Sequence, residues 1–371
     1  MAIEETRVVG PWEQMKNSFG GMLIGLLLLP GAFFIVYIST CREQASVEMK
    51  GALPASEAAK AAADNKPVYA TGKLDSSPVG DPQFVKPGKY LKLSRSAQIM
   101  AWVHKETTKT EGSGTTKKET KTYDCKLEWT SSPDLNVGSK KGCEGKTNFS
   151  ATYSSADFAA DSVTINSSGT TYSLNPSAID PVKLPGAKVQ KSDLTRDMTE
   201  YSGAFYPEAA CATSSPKAGC EKITFSGTSY EAGKDYTAVG KLVGNQFEEY
   251  STGKSGILAG HWLKLGPGSF KETMSAVSSA DSGWTIGLYL GSVFCFWLGL
   301  VLLTGPILQL IEFIPIIGGF GEGLIKVIFG VFSFVIMGLA FLIIKYFLFI
   351  LLGLALIAGF LIYKKKSAPA A

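Results

Sequence analysis

Charged residues are spread very unevenly along the chain. Residues 17–41 form a run of 25 without a single charge, and residues 282–363 form a run of 82 that holds only Glu312, Glu322, Lys326 and Lys345. Those 107 residues carry 4 of the 68 charges, while the other 264 carry 64, or 24%, the density of ordinary soluble protein. The pattern predicts a soluble-type domain set between membrane segments. It excludes a cytosolic enzyme, a disordered chain and a large polytopic transporter. The first apolar run exceeds the roughly 7 to 15 residues of a signal-peptide core, and Ser39-Thr40-Cys41-Arg42-Glu43 offers no cleavage site. A retained transmembrane helix over residues 20–40 follows.

The C-terminal run needs dividing, because about 20 apolar residues cross a bilayer. Residues 282–304 make one span, ended by Gly305-Pro306. Residues 305–323 contain Glu312, Pro315 and five glycines, which suits an interfacial or re-entrant connector better than a span. Read as one helix, the next 40 residues would measure about 60 Å, twice the hydrocarbon thickness. Dividing them at Lys345 gives spans 324–344 and 346–363, and spares a mid-bilayer lysine costing roughly 2.5 to 3.5 kcal/mol. Four spans place both termini together. Lys364-Lys365-Lys366 in the tail 364–371 make that side cytoplasmic, with residues 1–19, and residues 41–281 fall outside.

Cysteine usage agrees with that placement. Cys125, Cys143, Cys211 and Cys220 all fall in the external segment, which suits two disulfides in an oxidising compartment. Local pairing, Cys125 with Cys143 and Cys211 with Cys220, is the most economical of the three arrangements. Cys41 and Cys295 lie in or beside membrane helices as plain small residues.

In the external segment, residues 43–63 are alanine-rich and predict a helix leading away from the membrane. Strand signals follow. Alternating apolar positions in residues 90–104 and again at Tyr123, Cys125, Leu127 and Trp129 enclose a polar middle, which predicts a long hairpin with its tip at residues 111–114. Tyr69-Ala70-Thr71-Gly72-Lys73-Leu74 is echoed by Tyr236-Thr237-Ala238-Val239-Gly240-Lys241-Leu242, so two related β-modules are an expectation, with coincidence between ordinary strands the alternative. Residues 148–216 predict only mixed short helices and strands.

Catalytic, cofactor and metal motifs are absent from the sequence. Gly145-Lys146-Thr147 and Gly253-Lys254-Ser255 resemble the end of a phosphate loop, but Lys140 and Glu248 stand where its first glycine belongs. His104 and His261 read as structural. The lysines of residues 105–121 are interleaved with Glu106, Glu111 and Glu119, so this is a solvated mixed-charge face and nucleic acid is not an expected partner. Glu312, an acid in an apolar stretch, is a site hypothesis by default. Its plainer reading is a headgroup-level position on an interfacial helix. Lys345 reads as a turn residue.

Leu91-Lys92-Leu93-Ser94-Arg95-Ser96, Met100-Ala101-Trp102-Val103-His104-Lys105-Glu106, Lys117-Lys118-Glu119-Thr120 and Tyr123 with Glu128-Trp129 stand in order across the external segment. With Trp12, Asp81-Pro82 and Phe313-Ile314-Pro315, this arrangement resembles the LUMA (transmembrane protein 43) family. Arg95, Trp102 and Trp129 are the most specific positions. The resemblance implies a four-span protein with a large extracytoplasmic domain and no enzymatic activity. Animal members reside in the endoplasmic reticulum and inner nuclear membrane, self-associate and contact emerin and lamins. This chain departs at Cys41-Arg42-Glu43-Gln44-Ala45, where the family more often has an acidic-glycine-arginine turn.

The expectation is therefore an integral membrane α-helical bundle, one N-terminal and three C-terminal spans, plus a large extracytoplasmic β-rich α+β domain. Its expected role is a self-associating scaffold of membrane complexes, its partners membrane lipids, further copies and other membrane or extracytoplasmic proteins, with no cofactor. Lipid handling and a minor conductance are the alternatives. The expected setting is a bacterial inner membrane with a periplasmic domain, otherwise the endoplasmic reticulum and inner nuclear membrane.

Overall fold

The computed structural model describes residues 3–8, 11–111, 118–306 and 318–347. The region from Glu312 to Pro315, residues 348–363 of the fourth span, the basic tail and the hairpin tip at 112–114 lie outside the described residues.

Among the described residues, three helices are long and apolar enough to cross a membrane. The first is Pro11–Cys41 and contains the expected 20–40 span. The second, Phe270–Leu303, starts 12 residues before the expected span. Ser269 sets that start: its hydroxyl accepts from the Glu272 N–H at 3.4 Å, and the Glu272 carboxylate accepts from the Ser269 N–H at 2.7 Å, a reciprocal capping box. The third is Gly318–Lys345, so the helix ends at the lysine that divided the apolar run.

Helices one and two approach closely because glycines meet. A Cβ on Gly25 would lie 2.7 Å from the Gly299 carbonyl oxygen, so a larger residue at either position would push the backbones apart. Beside this contact Ala32, Val36, Phe296 and Met337 form a buried cluster. The third helix docks through Trp297, whose Nε1 donates to the Lys326 carbonyl at 2.9 Å, and Tyr289, whose hydroxyl donates to the Phe334 carbonyl at 3.3 Å. Leu23, Leu27, Phe34, Val327 and Val331 face outward, an apolar exterior that suits lipid.

The expected helix over 43–63 is broken in two, Ala45–Glu48 and Ala58–Ala63. Gly51 and Pro54 stand between them, and both disfavour a continuous helix. The strands are β1 (Ile3–Val8), β2 (Leu53–Pro54), β3 (Val68–Ser76), β4 (Val79–Asp81), β5 (Val85–Gly88), β6 (Tyr90–Glu111), β7 (Lys118–Thr130), β8 (Ala156–Ala159), β9 (Val163–Ser167), β10 (Thr170–Leu174), β11 (Ile179–Pro181), β12 (Thr199–Tyr201), β13 (Ala204–Tyr206), β14 (Glu221–Ser229), β15 (Asp235–Val243), β16 (Gln246–Glu248) and β17 (Leu263–Pro267).

The expected hairpin is present as β6 and β7, in register from Ile99 opposite Thr130 to Glu111 opposite Lys118. It forms one sheet in the order β1-β7-β6-β14-β13-β12, with β8 also on β6. The other large sheet closes on itself. β3, β15, β16, β10 and β9 pair in a ring, with β17 and β11 continuing from β15 and β2 lying on β3. Closure removes sheet edges. The two echoed segments are neighbours in this one barrel, antiparallel, with Ala70 opposite Ala238 and Thr71 opposite Thr237. The two threonine hydroxyls lie 2.7 Å apart. Ile165, Leu174, Tyr236, Phe247, Leu263 and Leu265 belong to the same buried core.

Candidate functional site

The second helix enters the domain before it enters the apolar zone. Ala276 and Val277 bury against Ala45, Met49, Val239, Tyr250 and Trp262, Thr273 is buried with its hydroxyl donating to the Pro267 carbonyl at 3.2 Å, and Phe270 stacks on Tyr69 with centroids 4.3 Å apart. A polar belt lies immediately beyond. Asp281, almost fully buried, accepts from the Ser46 N–H at 2.8 Å and stands 3.9 Å from Arg42. The Arg42 guanidinium also donates to the Asp281 carbonyl at 3.3 Å. Ser39 donates to the Thr285 carbonyl at 3.2 Å, and Thr285 donates to the Asp281 carbonyl at 2.9 Å.

Glu43 extends this belt into the domain. Its buried carboxylate accepts from the Gly260 N–H at 2.9 Å and from the Thr252 hydroxyl, and pairs with Lys254 at 3.0 Å. One side chain therefore closes the loop 252–260 onto the end of the first helix. Charge-assisted hydrogen bonds of this kind contribute about 1.5–3 kcal/mol each. Glu43→Ala is expected to raise the rate of tryptic cleavage after Lys254 by about tenfold, through local opening of that loop. An unchanged cleavage rate would mean the loop is held by something else.

The two disulfides are the local ones, Cys125–Cys143 and Cys211–Cys220, with Cα atoms 5.2 and 5.4 Å apart. Closing loops of this size contributes about 3 kcal/mol each. The Cys211–Cys220 bridge packs against Trp129, and the segment that follows Cys143 is held by Trp102. Trp102 carries the Cys143 loop. Its N–H donates to the Asn148 side chain at 2.7 Å, Asn148 donates back to its carbonyl at 2.9 Å, and Lys146 lies 4.2 Å above its ring. In the same loop, a hydrogen bond from Lys140 and then the Asn136 N–H hold the Asp134 carboxyl below its usual range. Trp129 packs with Tyr206 and Cys211, under Lys222 at 4.5 Å, and burial pushes that ammonium below the usual lysine range.

Arg95 occupies the centre of the domain. It is buried, as is Asp81, and its Nη1 donates to both Asp81 oxygens at 3.0 and 2.7 Å and to Gln83 at 2.9 Å. Its Nε donates to the Ser154 carbonyl at 2.8 Å, and its guanidinium lies 5.0 Å from the Phe84 ring centre. Every acceptor is a structural element to be joined, so Arg95 acts as a core clamp. Arg95 and Asp81 both stand among the residues that carry the family resemblance, but nothing in the sequence pairs them, and neither Glu43 nor Asp281 carries a signal for its role at the junction.

Other features hold less. An open groove of about 670 Å³ runs over the Cys211–Cys220 bridge. Its Glu221 carboxylate is engaged by the N–H groups of Thr152 and Tyr153. Lys345 lies 5.6 and 5.8 Å from the rings of Phe341 and Tyr346. Among the described residues no group of His, Cys, Asp and Glu is arranged to hold a metal ion.

Residues 99–351, about two thirds of the chain, match the family model for transmembrane protein 43. The chain belongs to the transmembrane protein 43 family. The matched region takes in the β6–β7 hairpin from Ile99 onward, both disulfides, the helix Phe270–Leu303 and the helix Gly318–Lys345. The Arg95–Asp81 clamp and the Arg42 and Glu43 side of the junction precede it. No curated protein and no solved structure is detectably similar to this family member.

Proposed function

We propose that this transmembrane protein 43 family member is a non-enzymatic, self-associating membrane scaffold. Its β-rich domain faces the oxidising side of the membrane and organises other membrane or extracytoplasmic proteins there. The carrying observation is the junction. A helix that runs unbroken from the domain core into the apolar zone, latched by Glu43, Arg42 and Asp281, presents the domain in a fixed pose rather than on a tether. A fixed pose matters to a platform for other proteins and has less use in a tethered ligand-capture domain.

The arrangement is one N-terminal and three C-terminal spans, with residues 1–19 and the tail 364–371 in the cytoplasm and residues 41–281 outside. Two disulfides in the domain support an oxidising compartment, and Lys364-Lys365-Lys366 support a cytoplasmic tail. A bacterial inner membrane with the domain in the periplasm suits both.

Native mass spectrometry of the protein extracted in mild detergent is the test. A discrete homo-oligomer without stoichiometric lipid is expected. A monomer carrying one tightly held lipid would replace the scaffold with lipid handling.

A further inference from the structure

The outer edge of the β6–β7 hairpin is occupied in an informative way. β1 lies antiparallel on β7 from Ile3 opposite Tyr123 to Val8 opposite Lys118. At its centre Glu5 faces Lys121, Thr6 faces Thr120 and Arg7 faces Glu119. The threonine hydroxyls are 3.2 Å apart, and Arg7 pairs with Glu119 at 2.9 Å. β1 therefore offers the series acid, threonine, base.

β7 carries the same series in its own Glu119-Thr120-Lys121. In an antiparallel pair, a series of this kind is its own complement. A second β7 laid where β1 lies would set Glu119 against Lys121 of the other copy, Thr120 against Thr120, and Lys121 against Glu119. Glu119 and Lys121 are two residues apart and share one face of the strand, so both ion pairs form on one side and the threonines meet on the other.

A first helix that crosses the membrane puts β1 on the face opposite the domain, and β7 is then left with unpaired backbone groups along its edge. Exposed edges are usually blunted by charges of one sign, by proline or by a bulge. The stretch from Lys118 to Thr122 has no proline, its ladder with β6 runs without a register shift, and its charges alternate so as to attract a copy of itself.

We infer that the β7 edge is the self-association surface, pairing antiparallel with β7 of a second copy about a two-fold axis through Thr120. This rests on the scaffold reading and gives it a surface. The pairing is isologous, so it closes as a dimer and joins two hairpins into one sheet. Lys121 already holds Glu106 at 2.9 Å, and its three donors accommodate a second carboxylate. A contact of five residues per copy is small, and anchorage of both copies in one membrane raises their effective concentration enough for it to form.

The test uses the full chain in membranes, with Cys41 and Cys295 replaced by alanine. Thr120→Cys is expected to form an oxidative dimer readily, and Thr122→Cys, which faces Lys118 of the other copy, poorly. Glu119→Lys or Lys121→Glu alone should lower the Thr120→Cys dimer yield by about fivefold, and the double reversal should restore it. Equal yields at 120 and 122, or no recovery in the double reversal, would overturn the surface. So would a bond formed instead between Thr120→Cys and Thr6→Cys of one chain. Native mass spectrometry of the same variants separates the two readings. An intact oligomer without the Thr120→Cys bond rejects this edge alone, whereas a monomeric parent rejects self-association itself.

Discussion

Replacing Arg95 by methionine is expected to lower the melting temperature of the purified protein by on the order of 10 °C. Methionine fills much of the same volume but leaves Asp81 fully buried with its main cationic partner gone. Breaking a buried ion pair from one side costs about 3–5 kcal/mol, because the remaining charge is neither solvated nor paired. For a domain of this size, each kcal/mol lowers the melting temperature by about 2–4 °C.

Three other connections depend on the same guanidinium: Ser154 through its carbonyl, Gln83 through its side chain, and the ring of Phe84. Removing Asp81 as well should recover much of the loss, since a pair replaced by apolar side chains is often neutral. Arg95→Met with Asp81→Leu is therefore expected to melt well above Arg95→Met alone. Equal melting of the two variants would mean that the clamp acts through packing rather than charge. An unchanged melting temperature in Arg95→Met would remove Arg95 from the stability of the domain.

The features that were readable from the sequence are those written into local spacing. The β6–β7 hairpin shows because apolar and polar positions alternate on both sides of a polar middle. The disulfides show because each pair closes a short loop, 18 and 9 residues apart. The apolar cores of the three helices show because lipid demands a continuous run of one kind. What joins distant segments leaves no such trace. Asp81 stands in the quoted Asp81-Pro82, yet nothing ties it to Arg95 until β4 and β6 bring the two together. Glu43 meets Gly260 across 217 positions of sequence, a contact that only the tertiary fold creates. The start of the second membrane helix was missed for a different reason. Residues 270–281 carry Lys271, Glu272 and several serines on the solvent side, which hides a short buried stripe of Thr273, Ala276, Val277 and Asp281. Barrel closure was equally hidden: the similarity between the β3 and β15 segments read as a repeat, whereas the two strands pair with each other.

A single cysteine at Thr6 is expected to resist a membrane-impermeant thiol reagent in sealed vesicles with the domain outward, and to react once detergent is added. A cysteine at Ser214, exposed on the domain, should react without detergent. Cys41 and Cys295 are replaced beforehand, since both are free thiols. The structure pairs β1 with β7 of the domain, whereas a crossing by the first helix separates them by the thickness of the bilayer. The strand contact comprises exposed residues, with Val8 64% exposed, and its surface ion pairs contribute about 0–1 kcal/mol each. Its ladder bonds replace bonds to water at a net gain of about 1 kcal/mol apiece. Against this, residues 19–40 hold twelve leucine, isoleucine, valine and phenylalanine side chains. Withdrawing that many from water is favourable by on the order of 20–30 kcal/mol. On this comparison a crossing is favoured severalfold over the strand contact, and in the proposed topology β1 and β7 then stand on opposite sides of the membrane. Reaction at Thr6→Cys in intact vesicles would reverse that conclusion. The first helix would then not cross alone, the β7 edge would be capped by its own chain, and the surface assigned to self-association would already be filled.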